Sequence, residues 1–312
     1  MLAVIFNTCG IRTEHVNEYI EAISRVVAQD LDTKIVVSSC LNSDSCISTI
    51  KDRFQDKVVI NRILDKLPVN VTFNHSCLLA NKLYGDLDGY LYMDSGVMLK
   101  TRQDLSNLNK LFMSDDYGMV AAQVDTDGGY HQWFGLGKND LDHSTNHLFF
   151  ENGDFVIPIG KTINLHCQIF SKKLLDFYGY LFPDIYAGYC SESVFSFVCA
   201  AIKTKFVLSK DVIVSHIHGM DGGSSGFDPV AWKRSGKETY EHPFMVDSVV
   251  RIAKEGHQYG FGYEECQNIV NHDPDKFDGF MAKDDRLKDF IKSTQFIGNS
   301  VFDYSTIASE VI

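Results

Sequence analysis

The sequence predicts an α/β fold, a mostly parallel central sheet flanked by helices. Three observations point to it. Through the first 94 residues, short apolar runs of strand length alternate with segments whose apolar residues fall at helical spacing. Each run ends in a polar turn. The run Gly-Tyr-Leu-Tyr-Met-Asp-Ser-Gly-Val at 89–97 is too short for a typical globular helix and stops abruptly at Asp94. Ligands of open α/β sheets bind beyond the carboxyl ends of the strands, so Asp94 stands where chemistry would be placed.

In chain order, Leu2–Phe6 is the first expected strand, closed by Asn7-Thr8-Cys9-Gly10. A helix follows, with Val16, Ile20, Ile23 and Val27 on one side and Thr13 as its N-cap. Lys34–Val37 is a second strand, followed by a helix marked by Ile47, Ile50 and Phe54. Lys57–Ile60 is a third strand. Asn74 is expected to cap a helix carrying Leu78, Leu79 and Leu83 and closed by Gly85. The strand ending at Asp94 comes next, and right-handed crossovers connect the parallel strands.

From Gln123 to Gly160 the chain turns polar and Gly-rich, with Tyr130, Trp133 and Phe134 embedded in it. Loops this long inside compact domains are usually functional or disordered. Thr162–Phe170 resumes as a strand, before an amphipathic segment at Lys173–Tyr178. Ser191 is expected to cap a helix with Phe195, Val198, Cys199 and Ile202. Lys205–Leu208 and Asp211–Val214 read as two further strands, followed by the flexible connector Gly222-Gly223-Ser224-Ser225-Gly226. The expected organisation is a first unit over 1–226, with an insertion at about 123–160, and a charged, mainly helical appendage over 227–312.

Composition narrows the function. The 312 residues are 45% apolar, enough for a real core, and the net charge of −12 argues against a general nucleic-acid binder. A single nucleotide needs only a local pocket. No stretch has the ~18–20 consecutive apolar residues of a membrane span, and Met1-Leu2-Ala3-Val4-Ile5-Phe6 reads as a strand rather than a signal peptide. The eight cysteines are scattered without a Cys-x-x-Cys pair, which points to a reducing cytosol.

Four features could carry chemistry. Asp94 is a ligand-facing acid or a turn residue. Asp125 and Asp127 spell a paired-acid motif but fall in the polar insertion and read as loop residues; a calcium loop of the EF-hand type would need an acid at position 136, which is Leu136. His216 and His218 end the last strand on one face, either as structural histidines or as ligands for phosphate or metal. Glu192 opens a helix, where it is either a helix-dipole acid or a general base. The dipole would keep it ionised, which suits a base.

The order of these features resembles the GT-A glycosyltransferases, especially the inverting family 2 type, over roughly residues 1–226. Ser39-Cys40-Leu41-Asn42-Ser43-Asp44 is similar to the family's Asp-Asp-Gly-Ser-Thr-Asp turn, with Asp44 retained. Phe73-Asn74-His75-Ser76 resembles its Arg-Asn-x-Gly stretch. Tyr90–Gly96 occupies the Asp-x-Asp position, with Asp94 matching the first acid and Gly96 in place of the second. Ser191-Glu192-Ser193 stands where the family carries Glu-Asp. His216-Ile217-His218-Gly219 with Gly222–Ser225 resembles its His-Ile-Gly-Gly-x-Ser ending.

The resemblance implies a UDP- or GDP-type sugar donor and a glycan or other hydroxyl acceptor. It places the nucleotide base near Asn7, Thr8 and Ser39, with Arg12, Asp44, Asn74, Ser95 and His218 completing the donor site. Asp94 and His216 would hold a divalent cation, Mn²⁺ rather than Mg²⁺. Glu192 would act as general base. Tyr130, Trp133 and Phe134 would stack on the acceptor sugar, or equally pack the insertion onto the body. Two rivals remain at this point: a sugar nucleotidyltransferase, which would want a more basic, Gly-rich loop than Thr8-Cys9-Gly10-Ile11-Arg12, and a binding module with a degraded site.

Overall fold

A computed structural model describes residues 1–65, 67, 69–125, 149–151, 154–156, 166–182, 195, 199, 202, 204–217 and 303–312. The elements run β1 (Leu2–Cys9), α1 (Val16–Val27), β2 (Thr33–Cys40), α2 (Asp44–Phe54), β3 (Val58–Ile63), α3 (Val69–Tyr84), β4 (Gly89–Asp94) and β5 (Val97–Met98). They continue with α4 (Asp104–Phe112), β6 (Tyr117–Asp125), β7 (Phe149–Glu151), β8 (Asp154–Val156), β9 (Cys167–Ser171), α5 (Lys172–Tyr178), β10 (Lys205–His216) and β11 (Ser309–Val311).

Among the described residues these strands form one sheet in the order β11-β3-β2-β1-β4-β9-β6-β10-β8-β7, with β5 pairing β10 off the main path. The pairs β1/β2, β1/β4, β2/β3 and β6/β10 are parallel. The fold class is as expected, a mostly parallel sheet flanked by helices. β9 is the exception that matters: it runs antiparallel to both β4 and β6.

The central strands are apolar on both faces because helices cover both. In β1, Leu2, Val4 and Phe6 join the cluster that includes Tyr19, Ile20 and Ile23 of α1. Alternation sends Asn7 to the other face, where it meets α3. Apolar burial of this kind is worth roughly 25 cal/mol per Å², so the sheet and its helices are held chiefly by side chains such as Tyr19, Phe6 and Tyr90, all fully buried.

Several local expectations are corrected. α3 begins at Val69, so Asn74 is no cap; it lies in the helix interior. Residues Thr13–His15 form a 3-10 turn, and the residue capping α1 is His15 rather than Thr13. The two strands expected between 205 and 214 are one strand, β10, with a register shift between Leu208 and Ile213. Residues 123–125 belong to β6 and not to the insertion, so Asp125 ends a strand. α4 and β6 are additions. Leu105, Leu108 and Phe112 bury one face of α4, and Met119 to Ala122 are buried in β6.

The helical appendage expected over 227–312 meets the described residues only at 303–312. There the chain makes one 3-10 turn, Tyr304–Thr306, and then β11, which extends the sheet antiparallel to β3.

Candidate metal centre

The carboxyl ends of β2, β1 and β4 lie side by side. Asn7 is in register with both Ser38 and Asp94, and Thr8 with Ser39. The sequence-derived candidates Asn7, Thr8, Ser39 and Asp94 are therefore brought to one edge.

The first three spend their side chains inside the protein. Asn7 Nδ2 donates to the Val69 carbonyl (2.7 Å) and its Oδ1 accepts from Thr72 Oγ1 (2.9 Å). Asn42 Nδ2 donates to Thr8 Oγ1 (2.5 Å) and Ser39 Oγ (2.8 Å), while its Oδ1 accepts from the Ile11 amide (2.7 Å). All four residues are buried. This network fixes the turns after β1 and β2, because a buried polar group without a partner costs ~1–3 kcal/mol. Arg12 is exposed in the turn after β1. Asp44 is exposed at the start of α2 and pairs with Arg62 at 2.5 Å. Asn74 is buried and bonded to residues 181, 182 and 304.

Asp94 meets two histidines. His216 Nε2 lies 3.1 Å from Asp94 Oδ2, and His166 Nδ1 lies 3.5 Å from the same oxygen. The two imidazole rings are 4.3 Å apart at their centroids and tilted by 44°. One possible ligand atom from each residue can be chosen so that all three lie within 4.8 Å of one another. The two rings are almost buried, at 8% and 10% exposure, and the carboxylate is open at 23%. The opening lies on the carboxylate. Asp94 Oδ1 also accepts from the Ser95 amide at 2.9 Å, which fixes its orientation.

Three chain segments build this cluster. β4 delivers Asp94. β9 delivers His166: Met93 is in register with Cys167, and the Asp94 amide donates to the His166 carbonyl at 2.9 Å. β10 delivers His216, held by β5, where Val97 faces His216 and the Ile217 amide donates to the Gly96 carbonyl at 2.9 Å. Gly96 is forced by that approach. A Cβ there would collide with the Ile217 carbonyl oxygen and stand 3.2 Å from His216 Nε2.

The sequence reading missed His166. It pointed to Asp94 and His216, which the structure joins. Glu192, His218, Tyr130, Trp133 and Phe134 lie outside the described residues.

The donor set fits a divalent first-row metal. One carboxylate and two imidazoles combine an anionic oxygen with two nitrogen ligands, a mixture that first-row divalent metals accept. Burial works to raise the Asp94 pKa, but hydrogen bonds from His166 and His216, with the charge those rings can carry, outweigh it. The carboxyl is held well below the ordinary carboxylate range. A depressed native pKa contributes stability that is present above the unfolded value, near ~4, and is lost as pH falls through the native one. In acid unfolding followed by circular dichroism, the wild type should lose stability below about pH 4 more steeply than Asp94→Asn. Parallel curves would refute the coupling.

No family model matches the sequence, and none of the curated proteins does. Solved structures match on shape. The mannosyltransferase PcManGT from Pyrobaculum calidifontis, in complex with GDP-Man and Mn²⁺, is 14% identical, with a TM-score of 0.51, 93% of this chain covered and 72% of that one. GalNAc-T7 with UDP, GalNAc and Mn²⁺ is 10% identical with a TM-score of 0.53; 91% of this chain is covered and 56% of that one, so the match spans little more than half of GalNAc-T7. At such identities the likeness speaks for architecture alone, and on architecture the chain has the GT-A fold that its motifs resemble.

Proposed function

We propose that this chain is a glycosyltransferase that moves a sugar from a nucleoside-diphosphate donor, UDP- or GDP-linked, to a hydroxyl of a glycan or other acceptor. The observation that carries this reading is the Asp94–His166–His216 cluster at the carboxyl edge of a GT-A sheet. The Mn²⁺ and nucleotide sugars named with the two structural neighbours support it.

Asp94, His166 and His216 would hold the divalent cation, Mn²⁺ in preference to Mg²⁺. When bound, that ion offsets the charge that develops on the diphosphate leaving group. Asp94, kept ionised, supplies the anionic ligand, and the pairing of β9 and β10 with their neighbours preorganises the imidazoles. Glu192 takes the proton from the acceptor hydroxyl. The acceptor oxygen then forms its bond to the anomeric carbon as the bond to the diphosphate oxygen breaks, and the nucleoside diphosphate leaves with the electron pair. A single displacement of this kind inverts the anomeric centre. We assign the donor and catalytic unit to 1–226, and the acceptor side to the part of the insertion beyond Asp125, with Tyr130, Trp133 and Phe134.

The test is incubation with a panel of UDP- and GDP-sugars, Mn²⁺ and hydroxyl acceptors. Release of free nucleoside diphosphate with transfer of the sugar is expected. Pyrophosphate exchange, or binding without turnover across the panel, would overturn the proposal. In the active pair, Glu192→Gln should lower transfer by about 10²–10⁴, the contribution of a general base, while nucleotide affinity stays within about twofold. Equal transfer would move the base to another residue.

A further inference from the structure

Asn74 is a buried polar knot. It is 1% exposed, and its amide makes four hydrogen bonds. Oδ1 accepts from the amides of Leu181 (3.1 Å) and Phe182 (2.9 Å). Nδ2 donates to the Phe182 carbonyl (2.6 Å) and to the hydroxyl of Tyr304 (2.8 Å), 230 residues away in sequence. The Asn74 amide is thereby fully used.

Around the knot, the Phe182 ring packs edge-on against Phe195, with centroids 5.0 Å apart. Phe195 also packs edge-on against Phe170 of β9 at 5.2 Å. Phe182 and Phe195 thus belong to one aromatic anchor, and Glu192 falls three residues before Phe195 in sequence.

The third segment of the knot is 303–312, through Tyr304. Beyond Tyr304, β11 closes the free edge of β3, with Ser309 in register with Ile63 and Val311 with Asn61. The Leu64 amide donates to the Ala308 carbonyl (3.0 Å), and Ile60 and Ile312 exchange both backbone bonds at 2.9 and 3.0 Å. Glu310 lies 3.6 Å from Arg62.

We propose that residues 303–312 form a clasp that positions the Phe182–Phe195 anchor through Tyr304 and Asn74. Tyr304 is a positioning residue for sugar transfer. The catalytic part of this inference rests on the glycosyltransferase reading with Glu192 as base; the clasp itself does not.

The experiment compares the full chain with Tyr304→Phe and with a truncation lacking 303–312. The readouts are amide hydrogen exchange, nucleotide affinity and transfer kinetics. Tyr304→Phe keeps the ring and removes only the hydroxyl. Exchange at Leu181 and Phe182 should quicken, and kcat for transfer should fall, each by about two- to tenfold, the effect of one hydrogen bond. The Kd for UDP or GDP with Mn²⁺ should stay unchanged. The truncation should move the same amides further. Unchanged exchange at 181 and 182 in both variants overturns the clasp. Faster exchange with unchanged kcat overturns the positioning role. Should the wild type transfer no sugar, the functional reading fails while the exchange data still decide the clasp.

Discussion

Replacing Asp94 with alanine should lower Mn²⁺ affinity by at least about a hundredfold, the upper end of what losing a mere supporting partner of a metal ligand costs. Metal-dependent nucleotide binding should go with it. The reason is geometric: both imidazoles converge on Asp94 Oδ2, at 3.1 and 3.5 Å, so the carboxylate is the element that His166 and His216 share. It is also the cluster's anionic member and its most exposed one. Asp94→Asn keeps the shape and removes the charge, which separates loss of ligation from loss of packing. Asp125→Ala is the control. Its carboxylate pairs with Lys100 at 2.7 Å, with side chains 57% and 37% exposed, and a surface pair of that kind is worth under ~1 kcal/mol. Calorimetric titration with MnCl₂, and with UDP or GDP in the presence and absence of metal, checks both. Wild-type affinity in Asp94→Ala, or a loss confined to Asp125→Ala, would relocate the site.

Much of this site was legible in the sequence, and the rest was hidden for physical reasons. Asp94 was visible because an apolar run on a doubly covered strand stops at an acid, and strand ends are where α/β sheets place ligands. His216 was visible as a polar residue ending another such run. His166 gave no comparable signal. Its place beside Asp94 depends on β9 running antiparallel between β4 and β6, and an apolar run such as Cys167–Ser171 is the same whichever way the strand points. A sequence motif records neighbours along the chain, whereas His166 is a neighbour across the sheet.

Asn74 was misread for a related reason. The first half of α3 buries Asn70, Thr72, Asn74 and Ser76 alongside Val71 and Phe73. Three of them meet hydrogen-bond partners rather than apolar contacts: Thr72 donates to Asn7, Asn74 accepts from the turn at 181–182, and Ser76 accepts from Asn61. The apolar periodicity of the sequence therefore begins near Leu78, one helix half too late, and a residue that joins three segments reads as a cap. Asn7, Thr8 and Ser39 illustrate the same limit. Their position at the sheet edge followed from strand order, but their commitment to Asn42 and α3 follows only from packing.

Gly96→Asp, which restores the paired acids of the family that the chain resembles, should destabilise the protein rather than improve its metal site. The backbone leaves no room for the side chain. A Cβ at 96 runs into the Ile217 carbonyl, and that carbonyl cannot move freely. It belongs to the segment held by the Ile217–Gly96 backbone bond and by the pairing of Val97 with His216 and of Met98 with Ser215. Overpacking against backbone together with loss of that hydrogen bond should cost about 2–4 kcal/mol. The midpoint of thermal unfolding should fall by several degrees. Displacement of β5 also shifts His216, so Mn²⁺ affinity should fall although a carboxylate has been added. Gly96→Ala carries the same clash without the charge and should lose most of the same stability, which assigns the effect to the Cβ. A Gly96→Asp protein with wild-type stability and tighter Mn²⁺ binding would show that the second acid was dispensable by chance. A destabilised one means that the close pairing of β5 with β10 leaves no room for a second acid at this position.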